Sequence, residues 1–113
     1  MDRDGGRSGG QDAGRKEKLV REAMLADGRV QGVGFRWYAR GLARKLGLTG
    51  HVMNLPDGSV ALEVQGLPEQ LEAFAYHLAH PPLGWPIRVA RLARRRTEPV
   101  PGERDFGIAR WGM

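Results

Sequence analysis

Cysteine is missing from the chain altogether, which excludes disulfides, thiolate–metal centres and a thiol nucleophile. No uninterrupted apolar run approaches the roughly 20 residues of a membrane-spanning helix, and the polar N-terminus lacks the apolar stretch of a secretory signal. A cytoplasmic protein without membrane association is the expectation. Two familiar phosphate signatures are also absent. There is no Gly-Lys-Ser/Thr to hold a nucleotide and Mg²⁺, and the glycine spacing is not that of a dinucleotide fold. Of the histidines, His51, His77 and His80 form no ligand constellation, so no metal is expected.

What is present suits one domain with a single modest core, as 113 residues allow. Arginine far outnumbers lysine, and the formal charge is +5. That balance draws phosphate-bearing partners by long-range attraction, although it fits weak nucleic-acid binding equally well. Residues 1–17 mix glycine with alternating charges and hold almost nothing to bury. They read as a disordered tail, with residues 18–113 as the domain.

The stretch Gly28-Arg29-Val30-Gln31-Gly32-Val33-Gly34-Phe35-Arg36 stands out. Three glycines in seven positions let a loop turn tightly and bring its amides close to a ligand. Such a loop, leading into a helix whose first N–H groups lack intrahelical partners, is an anion site. Arg36 falls in that helix's first turn, where the macrodipole disfavours a cation by ~0.3–1 kcal/mol. An anion shared between its guanidinium and the loop amides removes the conflict. The plainer alternative is a glycine-rich turn with Arg36 in solvent.

Phe35, Tyr38, Ala39, Leu42, Ala43 and Leu46 form one apolar helical face, and Gly47 stops the helix with Leu48 beside it. Thr49 to Gly66 reads as a hairpin turning at Pro56-Asp57-Gly58, with Val60, Leu62 and Val64 on its buried face. A second helix spans Pro68 to Ala79, with proline at its first position. Ile87 to Ala93 is a strand whose Val89 and Leu92 are out of phase, so it starts late or carries a bulge. Thr97 to Asp105 reads as a polar loop and Phe106 to Arg110 as a terminal strand. Arg88, Arg91, Arg94, Arg95 and Arg96 read as a solvated basic edge; Trp37, Trp85 and Trp111 read as packing or surface residues.

Lys18 to Ala26 leans to helix by local propensity. The order of the other elements overrules it: a strand there completes a β-α-β-β-α-β arrangement. The expected fold is α+β, a ferredoxin-like sandwich with two helices on one face of an antiparallel sheet and a short C-terminal strand.

At this point the chain resembles the acylphosphatase family. The family's Gly-x-Val-Gln-Gly-Val-x-Phe-Arg run stands at Gly28 to Arg36 without a mismatch, and its Gly-x-Val-x-Asn-x-x-x-Gly-x-Val run at Gly50, Val52, Asn54, Gly58 and Val60. The resemblance spans about residues 19–110. It implies metal- and cofactor-independent hydrolysis of an acyl phosphate to a carboxylate and inorganic phosphate, without a covalent intermediate. It assigns the phosphoryl group to Arg36 and the backbone amides of Gln31, Gly32, Val33, Gly34 and Phe35, and the orientation of the attacking water to Asn54. By its residue type alone, Asn54 is a turn former; the family match reverses that. Two positions depart from the pattern: His51 stands where an aromatic is usual and Met53 where a basic residue is frequent. Both bear on substrate preference.

The expected partners are a small acyl phosphate and inorganic phosphate as product and competing ligand, with no specific nucleic acid, and the expected state is a monomer. The alternatives are a non-catalytic phosphate-binding domain and an RNA-binding module of the same fold. RNA-recognition sheets present stacking aromatics; here the strands offer only Phe106.

Overall fold

The computed structural model describes residues 18–110; the expected tail, residues 1–17, and Trp111 lie outside the described residues. The elements are β1 (Val20–Arg29), α1 (Phe35–Lys45), β2 (Thr49–Asn54), β3 (Val60–Gly66), α2 (Pro68–Ala79), β4 (Arg88–Thr97) and β5 (Phe106–Ala109). The first element is a strand despite its helical propensity, because it lies between two others. It pairs with β3 along Val20–Ala26 and with β4 along Arg21–Arg29. Tertiary pairing here outweighs a local preference that is worth a few tenths of a kcal/mol per residue.

Along β1, Met24 and Ala26 point into the core while Ala23 and Leu25 line the opposite face of the sheet. The core side receives Phe35, Ala39 and Ala43 from α1 and Leu71, Phe74, Ala75 and Leu78 from α2. α1 ends as its sequence indicates. Gly47 takes φ 76°, its N–H donates to the Arg44 carbonyl, and the Leu48 N–H donates to that of Ala43 at 2.8 Å. Leu48 is buried beneath this Schellman turn. At the start of α2, Gln70 Oε1 accepts the Leu67 N–H at 2.9 Å, occupying a donor the helix leaves free.

Two findings differ from the sequence expectation. The sheet is mixed rather than antiparallel: its order is β4-β1-β3-β2-β5, and β5 runs parallel to β2. β4 and β5 occupy opposite edges, so residues 98–105 must cross the sheet. Gln65 holds the crossing by accepting the Val100 N–H at 2.7 Å and donating to the Val100 carbonyl at 3.0 Å. Buried Arg21 grips Glu103 at 2.8 Å, and Thr49 Oγ1 donates to the same carboxylate at 2.7 Å. Phe106 then drops into the core against Phe74, with ring centroids 6.1 Å apart.

The second difference is the length of β4, which continues through Arg94, Arg95 and Arg96 to Thr97. Arg94 is not part of a free basic edge. It bonds Glu22 on β1 and Glu72 on α2, each at 2.8 Å, and those two carboxylates hold its guanidinium's pKa well above the usual value. Of the two readings the sequence left for the phase slip in β4, the structure has the bulge. Asp27 pairs with Arg91 and Gly28 with Val89, leaving Ala90 without a partner. Gly28 has φ 133°, and a Cβ there would collide with the Arg88 carbonyl oxygen, so only glycine fits opposite the bulge.

Candidate active site

Val30, buried at the end of β1, fixes the point where the chain leaves the sheet. Gly32 and Gly34 then take φ 73° and 86°, whereas no non-glycine residue among the described residues has a positive φ. Positive and negative φ thus alternate through the loop, the kind of backbone pattern from which N–H concavities that suit an anion are built. α1 begins directly afterwards with no acidic residue in its first turn and no side-chain cap. Its first intrahelical bond is from the Tyr38 N–H to the Gly34 carbonyl at 3.0 Å. The amides of Phe35, Arg36 and Trp37 therefore remain without helical acceptors. The Phe35 side chain is buried in the core, so this residue offers the site only its backbone.

Arg36 and Asn54 are brought to one cavity. Both line a cavity of about 530 Å³ whose other described walls are Trp37, Ile108, Ala109 and Arg110. Asn54 stands at the end of β2, and its Oδ1 is buried with no hydrogen-bond partner among the described residues. Burying a carbonyl oxygen unsatisfied costs about 1–3 kcal/mol. Such an acceptor is relieved of that cost when it accepts a hydrogen bond from a water. Trp37 is 68% exposed, and Arg40 stacks its guanidinium 4.3 Å from the ring centroid, holding the indole at the rim.

Gln31, Gly32, Val33 and Gly34 form the turn that precedes this cavity and are not among its wall residues. The Gln31 side chain points elsewhere. Its Nε2 donates to the carbonyls of both Leu55 and Ser59, each at 2.8 Å, so both amide protons are engaged. The glycine loop is thereby buckled to the β2–β3 turn, one residue beyond Asn54. That turn is itself braced. The Asp57 carboxylate accepts from the Ser59 N–H and hydroxyl, which lowers its pKa from the usual value. Trp85 flanks the loop from the other side, close enough to Gly34 that a Cβ there would lie 4.0 Å from its ring. Trp85 packs on Tyr38 with centroids 5.4 Å apart.

A model of the Acylphosphatase family matches residues 22–108 of the chain. The chain belongs to the acylphosphatase family. An acylphosphatase of Thermococcus kodakarensis is 49% identical over 91 residues, covering 80% of this chain and 91% of the relative. One of Thermus thermophilus is 48% identical over 90 residues, covering 80% and 93%. In three dimensions, the crystal structure of an acylphosphatase from Bacillus subtilis superposes with a TM-score of 0.72 at 31% identity, covering 80% of this chain and 98% of that one.

Within this acylphosphatase fold, the two departures from the family pattern lie away from the cavity that holds Arg36 and Asn54. His51 and Met53 line a separate depression of about 440 Å³ with Ala23, Leu25 and Ala61, on the sheet face opposite the helices. The β5 wall, by contrast, was invisible in the sequence. Ile108, Ala109 and Arg110 reach the cavity only because β5 adds in parallel to β2, pairing Met53 with Ala109. Phe106, the one strand aromatic that could have served base stacking, is fully buried against Phe74. Among the described residues, no helix is long and apolar enough to cross a membrane, and no group of three or more His, Asp or Glu could hold a metal ion.

Proposed function

We propose that this acylphosphatase-family chain hydrolyses acyl phosphates by holding the phosphoryl group and aiming a water at it. Arg36 and the amides from Gln31 to Phe35 bind the phosphoryl oxygens. Asn54 accepts a hydrogen bond from the attacking water. The observation that carries the proposal is that Arg36 and Asn54 line the same cavity.

The chemistry asks for little else. Phosphoryl transfer depends on alignment and on stabilising charge spread over the equatorial oxygens, which fixed amides and a planar guanidinium provide without reorganising. Water attacks phosphorus as the bond to the acyl oxygen breaks. The leaving group is a carboxylate, stable at neutral pH, so it needs no general acid; the proton released by the water passes to a phosphoryl oxygen. Inorganic phosphate leaves the same cradle and competes with substrate for it. The six described wall residues come from one chain, which fits a monomer acting on a free small molecule; a cytoplasmic setting belongs to the same reading.

The test is phosphate release from acetyl phosphate by the purified chain with EDTA present. Turnover is expected; no release above the spontaneous rate would overturn the proposal.

A further inference from the structure

Two guanidinium-bearing residues, not one, open into the cavity. Arg110 lines it together with Arg36, and the six described wall residues include no carboxylate. The position of Arg110 follows from the sheet. β5 is parallel to β2 with Met53 beside Ala109, so Arg110 stands next to Asn54 at the adjoining strand ends. Arg36 enters from the start of α1, on a different element. Trp37 and Ile108 give the same wall apolar surface. At about 530 Å³ the cavity falls within the roughly 300–1,000 Å³ of small-molecule sites, which leaves room for more than a phosphoryl group.

We propose that Arg110 is a specificity-determining residue that selects acyl phosphates whose acyl chain ends in a second anionic group. The inference rests on the reading of the site as an acyl phosphate hydrolase. With the phosphoryl group on Arg36 and the loop amides, the acyl chain runs along Trp37 and Ile108, and a terminal carboxylate reaches the Arg110 fork. Two permanent positive charges facing one cavity repel each other when it is empty. A ligand that brings one anion to each converts that repulsion into two attractions. A substrate with a neutral acyl chain satisfies only the first.

The test compares succinyl phosphate with butanoyl phosphate, which differ in having a carboxylate or a methyl group at the end of the same chain. The readout is the ratio of their kcat/KM values in the wild type, Arg110→Met and Arg110→Glu. The wild type is expected to favour succinyl phosphate roughly three- to fivefold, the scale of a solvent-exposed ion pair. The ratio should fall to about one in Arg110→Met and below one in Arg110→Glu. A ratio that stays the same across all three proteins, including one in which both substrates slow equally, would overturn the role of Arg110 alone. Failure of the wild type to hydrolyse either substrate would overturn the reading of the site as well.

Discussion

The side-chain amide of Gln31 donates to the carbonyl oxygen of Ser59 at 2.8 Å, tying the glycine loop to the far side of the β2–β3 turn. Its second proton goes to Leu55, the residue after Asn54. The glycine loop and the strand end that carries Asn54 are thus held in one unit.

Gln31→Leu removes both bonds and leaves each carbonyl with its backbone donor alone, the Gly58 N–H on Leu55 and the Leu55 N–H on Ser59. At about 0.5–1.5 kcal/mol for each hydrogen bond, the variant should be less stable by roughly 1–3 kcal/mol. Its kcat should fall by ~10–100-fold, because small misplacements of reacting groups are costly. Steady-state kinetics with a phosphate inhibition constant checks this. A kcat equal to wild type would show that the two halves of the site are aligned by other contacts.

Asn54→Ala deletes the orphan acceptor without touching the cradle. kcat should drop by about 10²–10³-fold, the usual cost of losing one oriented polar group at a reacting centre, while inorganic phosphate still inhibits. Equal weakening of phosphate inhibition would place Asn54 on the anion rather than on the water.

How far the sequence discloses the site depends on which interactions are local. The glycine loop, the start of α1 and the hairpin turn at Pro56-Asp57-Gly58 are written in residues adjacent in the chain, and they fold as the sequence indicates. β1 was legible only through the order of all the elements, since its own residues lean to helix. Arg110 and Ile108 were not legible as walls. Their place depends on a loop that crosses the sheet and is pinned by buried Arg21 and Gln65, and no periodicity records such long-range polar contacts. The Gln31 side chain was likewise hidden: the motif marks the residue, but only the fold shows that its amide faces the hairpin.

The same crossing predicts an acid sensitivity. Burial raises the Glu103 carboxyl, but hydrogen bonds from Arg21 and Thr49 and the Arg21 charge outweigh it and hold the pKa below the usual 4.5. A carboxylate depressed on folding adds stability that is complete above about pH 4.5 and lost as the pH falls through the folded value. Wild-type Tm should therefore fall as the pH drops below about 4.5, and Glu103→Gln should start lower at pH 7 but decline less steeply. Parallel Tm–pH curves for the two proteins would remove Glu103 from the account.

The central claim is that the Arg36 guanidinium and the loop amides share one phosphoryl group. Its most direct measurement is the thermal unfolding of wild type and Arg36→Ala with and without saturating phosphate, alongside acetyl phosphate turnover. Phosphate at a hundred times its dissociation constant should stabilise the wild type by about 2.7 kcal/mol. Arg36→Ala should keep the wild-type circular dichroism spectrum, show no phosphate-dependent rise in Tm, and lose at least ~10³-fold in turnover. A folded Arg36→Ala protein that phosphate still protects, or that still hydrolyses acetyl phosphate at the wild-type rate, would contradict it.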